Sequence, residues 1–191
     1  MGNLEKWKVL NSQMLINHPQ CQVRRDEVEL PNGKVIDDYF VYVKPDIALI
    51  LPITKNGEIV FVRQYRHAVG EFFIELPAGR FDGEVEDAEV AALRELREET
   101  GYGSEQVRSL GVLYDKPSKD TNQIYLFLAE DVVKIGKQEN LDITEEIEVV
   151  LIPVNEVFNK VYSGDISVAG TVAALFLGLS KFRFPTDIND L

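Results

Sequence analysis

The sequence predicts an α/β fold: a mixed central sheet with helices on both faces, an α/β/α sandwich whose first third is β-rich. Three observations predict it. Strand-like runs separated by turn residues fill the chain up to about residue 76. Ile47 to Ile53 is an unbroken apolar run, the mark of a strand buried on both faces. One helix lies in the middle of the chain and two more close it, so the sheet has helices available for each side.

The elements follow in order. Val23 to Leu30 and Val35 to Val43 are strands around Pro31-Asn32-Gly33, a hairpin turn. Tyr39 and Phe40 in the second of these read as packing residues. Ile47 to Ile53 and Ile59 to Tyr65 flank the turn Lys55-Asn56-Gly57-Glu58. Phe72 to Leu76 is a short strand stopped by Pro77. Asp87 to Thr100 is a helix, with Asp87 as N-cap, an interior of Ala, Leu and Glu, and Gly101 at C′. Val107 to Tyr114, Ile124 to Ala129 and Ile147 to Ile152 are strands. Val154 to Tyr162 and Ser167 to Lys181 are the closing helices, divided by Ser163-Gly164.

Composition excludes several classes of function. The chain has 191 residues and a formal charge of −12, from 20 Lys+Arg against 32 Asp+Glu. Such a balance opposes metal-free binding to nucleic acid or to an anionic membrane, and neither is an expected partner. Cys21 is the only cysteine, which rules out an intrachain disulfide and a cysteine zinc cluster. The N-terminus has no apolar core of a secretion signal, and Val168 to Leu179 is too short to span a bilayer, so the expected location is cytoplasmic. The charge is also unevenly placed. Between Glu71 and Glu105 stand eleven acidic residues and three basic ones, a surplus of eight in 35 residues.

That surplus has a face. Projected on a helix from Glu95 at zero, Glu99 falls at about 40° and Glu98 at about 300°, while Leu96 and Leu93 point elsewhere, toward a core. Ala91 and Ala92 flank the carboxylates and leave room for close approach to the helix. Arg94 stands one turn before Glu98 and can pair with it. Three carboxylates within a turn repel one another unless a cation lies among them. Oxygen donors of this kind favour Mg²⁺, Mn²⁺ or Ca²⁺ over zinc. A solvated acidic face is the other reading of the same residues. Upstream, Leu76-Pro77-Ala78-Gly79 reads as a tight turn whose carbonyls can point at a metal.

The run Gly79-x6-Glu86-x7-Arg94-Glu95-Leu96-x-Glu98-Glu99-x-Gly101-Tyr102 resembles the Nudix box, G-x5-E-x7-R-E-U-x-E-E-x-G-U, with U a bulky apolar residue. The chain departs from it by one extra residue between Gly79 and Glu86, and by Tyr102 in the last position. Arg63-Gln64-Tyr65-Arg66, Glu75-Leu76-Pro77-Ala78-Gly79 and Leu126-Phe127-Leu128-Ala129 resemble the ADP-ribose and nucleoside diphosphate sugar pyrophosphatase branch of that family. So does Pro117, sixteen residues after Gly101. The similarity covers most of residues 40 to 180.

The resemblance implies a Nudix-type sandwich, with residues 1–43 as a β-rich extension serving dimerisation and the substrate side, and 44–191 as the hydrolase domain. It implies Mg²⁺-dependent hydrolysis, with Mn²⁺ as a substitute, of a nucleotide-sugar diphosphate into two monophosphates by a homodimer. Glu95 and Glu99 would be the principal metal ligands, the Ala78 carbonyl a backbone ligand, and Glu98 a further ligand or a water-positioning group. Arg94 would orient the glutamates. Glu145, or failing it Glu146, would be the general base. Arg66 and Glu75 would serve substrate binding. The alternative is a sensor of the same fold that binds ADP-ribose-like nucleotides without cleaving them. Such sensors lose box glutamates, and here all three are present.

Overall fold

A computed structural model describes residues 4–141 and 146–183 of the chain. They divide into two compact units, Met1–Pro45 with Tyr114–Asn122, and Asp46–Leu113 with Gln123–Leu191.

The first unit is an antiparallel sheet of β1 (Lys8–His18), β2 (Cys21–Glu29) and β3 (Val35–Val43), in that order. Strand β1 is not legible as a strand. Its apolar residues come in clumps, Val9-Leu10 and Met14-Leu15-Ile16, and every residue in it is exposed, so no alternation marks a buried face. Phe40 is likewise exposed rather than packed. Tyr114–Asn122 belongs to this unit by hydrogen bonds to β3. The Tyr42 amide donates to Lys119 O (2.8 Å), the Thr121 amide to Tyr42 O (3.1 Å) and the Tyr39 hydroxyl to Ser118 O (2.7 Å). Lys44 pairs with Asp120 beside them.

The second unit holds an eight-stranded mixed sheet. Its path is β11 (Ile147–Pro153), β5 (Glu58–Arg66), β4 (Asp46–Thr54), β10 (Ile124–Lys134) and β8 (Tyr102–Gly103). Three more strands pair alongside: β6 (Glu71–Glu75) on β5, β7 (Ala78–Phe81) on β4 and β9 (Arg108–Leu113) on β10. Only β4 and β10 run parallel. Because side chains alternate along β4, it feeds two cores. Leu49, Leu51 and Ile53 meet Phe61, Leu126 and Leu128 beneath α2 (Val154–Ser163) and α3 (Ala169–Arg183), through Val157, Phe158, Leu175 and Leu179. Ala48 and Ile50 meet Val60 and Phe127 on the other face, under Ala91, Ala92 and Leu96 of α1 (Ala88–Thr100). This is an α/β/α sandwich, with α1 on one face of the sheet and α2 and α3 on the other. Among the described residues no helix is long and apolar enough to cross a membrane.

Two local readings change. Ala78–Phe81 is a strand, not a turn: it pairs antiparallel with β4 from Leu49↔Ala78 to Asp46↔Phe81. Pro77 cannot donate to a ladder, but its carbonyl accepts the Ile50 amide at 3.0 Å, so the chain keeps its place against β4. Ala91 and Ala92 are fully buried, so the small residues beside the carboxylates let the sheet, not a ligand, approach the helix.

Candidate active site

Helix α1 carries the acidic cluster, and both ends of the cluster are fixed by backbone. Glu99 is 2% exposed and Glu95 is 8% exposed, unusual for carboxylates. Glu99 Oε2 accepts the Ala78 amide at 3.1 Å, which ties the last turn of α1 to the first residue of β7. The Ala78 group seen on a glutamate is therefore its N–H. Glu95 lies against the next residue. A β-carbon at Gly79 would overlap the Glu95 carboxylate, so only glycine lets strand and side chain come this close.

Arg94 occupies the centre. Its Nε and Nη2 grip Glu86 Oε1 and Oε2 at 3.0 and 3.1 Å, a bidentate pair. Its Nη1 donates to Glu95 Oε1 at 2.6 Å and to Glu98 Oε2 at 3.0 Å, and Nη2 also reaches Arg80 O at 3.3 Å. The Arg94 pKa is raised above its ordinary value, first by the hydrogen bonds it donates to Glu86, against the cost of burial, with Glu95 and Glu98 adding to it. The i,i+4 partner Glu98 was legible from helix spacing. The partner with two bonds, Glu86, lies eight residues back and outside the helix, where no helical period points to it. Its fixed spacing to Arg94 in the box was the only signal. The extra residue between Gly79 and Glu86 sits in a turn, where the amides of Val85 and Glu86 both donate to Asp82 O at 2.9 Å. Gly79 still meets Glu95 and Glu86 still meets Arg94.

The C-terminal end of α1 is a further feature that the sequence did not disclose. A helix leaves its last four carbonyls without intrahelical partners. Here each has one. Arg97 O accepts the Gly101 amide (2.8 Å), with Gly101 left-handed at φ 67°. Glu98 O accepts the Glu139 amide (3.0 Å), Glu99 O the Gln138 side-chain amide (2.6 Å) and Thr100 O the Lys134 ammonium (2.6 Å). Gln138 Nε2 also reaches Ile147 O at 3.1 Å, and Asn140 Nδ2 donates to Glu98 Oε1 at 3.2 Å. The segment after β10 thus closes on the helix end that carries Glu98 and Glu99.

Arg66 and Glu75 form a bidentate pair across the β5–β6 hairpin, at 2.7 and 3.0 Å. Glu145 lies outside the described residues, and Glu146 is exposed. A cavity of about 910 Å³ bordered by Lys55, Ser104, Arg108, Glu130 and Asp131 contains none of the box residues.

Among the described residues no group of three or more acidic, His or Cys side chains is placed as a preformed metal cage, and Arg94 bonds both Glu95 and Glu98. The donor set nevertheless suits a hard divalent cation. It is all oxygen, its two buried carboxylates are held one turn apart, and the strand beneath carries no β-carbon at Gly79.

This fold and this motif are those of the Nudix family, to which the chain belongs: the family model described as NUDIX domain matches residues 43–170. A second model, described as nucleoside diphosphate sugar hydrolase N-terminal domain, matches residues 7–42. The family is one of hydrolases that use divalent metals. The chain is 30% identical over 175 residues to the ADP-ribose pyrophosphatase of Bacillus subtilis (strain 168), covering 92% of this chain and 93% of that protein. It is 31% identical over 175 residues to the methanol dehydrogenase activator of Bacillus methanolicus, covering 92% and 94%. A crystal structure of an ADP compounds hydrolase superposes with a TM-score of 0.84 at 24% identity, covering 96% of this chain and 97% of that one, which establishes the fold.

Proposed function

We propose that the protein is a Mg²⁺-dependent pyrophosphatase that hydrolyses ADP-ribose or a related nucleoside diphosphate sugar to a nucleoside monophosphate and a sugar phosphate. One observation carries the reading: Arg94 gathers Glu86, Glu95 and Glu98 on the face of α1 where Ala78 and Gly79 meet Glu99 and Glu95. The similarity to an ADP-ribose pyrophosphatase over nearly the whole chain supports the substrate class.

When bound, Mg²⁺, or Mn²⁺ in its place, supplies positive charge to the diphosphate and polarises the attacking water. Glu95, Glu99 and the Ala78 carbonyl would hold it, and Glu98 would be a further ligand or position the water. Arg94 keeps the glutamates in place. Glu145, or Glu146 in its stead, takes the proton from the water. Water adds to one phosphorus, the bridging P–O bond breaks, and two phosphate monoesters leave. Arg66 contacts a phosphate or the terminal ribose, with Glu75 fixing the plane of its guanidinium.

The exposed apolar residues of β1, including Val9, Leu10, Met14, Leu15 and Ile16, support a homodimer in which the N-terminal unit is the contact. A cytoplasmic location is compatible with a chain that has one cysteine and no possible intrachain disulfide. The test is a panel of ADP-ribose, sugar nucleotides, dinucleoside polyphosphates and nucleoside triphosphates with Mg²⁺, products resolved by ion-exchange chromatography. AMP and ribose 5-phosphate from ADP-ribose is the expected result. Binding of ADP-ribose without turnover, in Mg²⁺ or Mn²⁺, would leave the sensor reading in its place.

A further inference from the structure

We propose that Asn140 is a positioning residue for Glu98, a role that rests on the metal-dependent reading of the site. Glu98 has three side-chain torsions and stands at the helix end where the backbone dipole is least favourable to an anion. Arg94 alone does not define it. Arg94 Nη1 serves two carboxylates and lies closer to Glu95 Oε1 (2.6 Å) than to Glu98 Oε2 (3.0 Å). Asn140 supplies the second restraint, from Nδ2 to Glu98 Oε1 at 3.2 Å. With one oxygen on Arg94 and the other on Asn140, the plane of the carboxylate is set.

The backbone is built for this contact. Asn140 is left-handed, with φ 54°, a conformation that Asn tolerates better than most residues with a β-carbon. Its neighbour Glu139 donates its amide to Glu98 O, so two successive residues grip the backbone and the side chain of one glutamate. Lys134 and Gln138 anchor the same segment to Thr100 O and Glu99 O. The chemistry of the donor also fits. An amide fixes the carboxylate without bringing a positive charge, whereas a lysine there would compete with a cation for the cluster.

The test uses Asn140→Gly, which accepts the left-handed backbone and removes the side chain with its amide, and Asn140→Asp, which keeps size and backbone preference but turns a donor toward an acceptor. Mn²⁺ affinity is read by electron paramagnetic resonance without substrate. Outer contacts to metal ligands are typically worth about 10–100-fold, so Asn140→Gly should bind Mn²⁺ about tenfold more weakly. Its kcat should fall by a similar factor, with KM within about twofold and the melting temperature within about 2 °C. Asn140→Asp should lose at least as much kcat. Wild-type Mn²⁺ affinity in the Gly variant, with or without a fall in melting temperature, overturns the proposal, as does wild-type kcat in the Asp variant. If the unaltered protein hydrolyses no sugar nucleotide, the proposed function fails while the Mn²⁺ titration of Asn140→Gly still decides the role of Asn140.

Discussion

The two ends of α1 are held in different ways. At the C-terminal end every orphan carbonyl has a donor, from Gly101, Glu139, Gln138 and Lys134. At the N-terminal end Asp87 has the extended backbone of an N-cap (φ −69°, ψ 142°) but makes no side-chain cap hydrogen bond among the described residues. The carboxylates cluster toward the end that is tied down. A helix end can be fixed for its own stability or for what it carries, and the difference between these ends indicates the second. The N-terminal end is left to its backbone, while the C-terminal end is gripped by four separate donors at the turn where Glu98 and Glu99 stand.

The largest effect that would break this comparison lies at Gly79. Replacement by alanine places a β-carbon in the Glu95 carboxylate, the far end of a flexible side chain that can swing aside. Stability should therefore change little, by about 1 kcal/mol or less, while a misplacement of about 1 Å costs about 10²-fold in rate. Thermal unfolding beside kcat/KM on the hydrolysed sugar nucleotide separates the two. Equal activity in Gly79→Ala would mean that Glu95 is not held where the reaction needs it.

The second effect is at Glu86, which reaches the cluster from outside the helix. Glu86→Gln keeps a hydrogen-bonding side chain but removes the charge that gives Arg94 its strongest partner. Both side chains are partly exposed, so solvent screening limits the stability cost to about 0.5–1 kcal/mol. At this chain length that is about 1–4 °C in melting temperature. With Glu86 neutral, Arg94 draws more fully on Glu95 and Glu98, and activity should fall about tenfold, the low end for contacts that orient metal ligands. A variant that loses stability but no activity would make the Glu86 pair a structural clamp only.

The sequence disclosed the parts of this arrangement that are written in local pattern. An unbroken apolar run found β4, the turn at Lys55–Glu58 set off β5, and helical spacing placed Glu95, Glu98, Glu99 and the i,i+4 partner Arg94 near one another. What it did not disclose depends on contacts between residues far apart in the chain. Strand β7 was hidden because Pro77 and Gly79 are turn formers. Its pairing is set by β4, some thirty residues earlier, and by the need for Gly79 under Glu95. Strand β1 was hidden because neither of its faces is buried. Gln138 and Asn140 stand in a polar stretch without pattern, and only the fold brings them to Glu98 and Glu99. The box motif identifies which carboxylates matter, but it does not show what holds them.

The smallest expected effect tests the end of α1 that lacks a side-chain cap bond. An N-cap Asp that accepts a backbone N–H typically contributes about 1 kcal/mol. Asp87 makes no such bond, so Asp87→Ala should cost only the attraction of an exposed carboxylate to the helix N-terminus, about 0.3 kcal/mol. That remnant is electrostatic and should fade in high salt, since exposed charges are screened within about 10 Å at 0.1 M. Urea unfolding at low and high salt measures both the size and the screening. A salt-insensitive loss near 1 kcal/mol would mean that Asp87 caps the helix through a hydrogen bond in solution, and the contrast between the two ends of α1 would then be one of degree. A loss within a few tenths, together with unchanged kcat, keeps the asymmetry: the helix start needs no side-chain cap because the donors at the C-terminal end already hold the turn that matters.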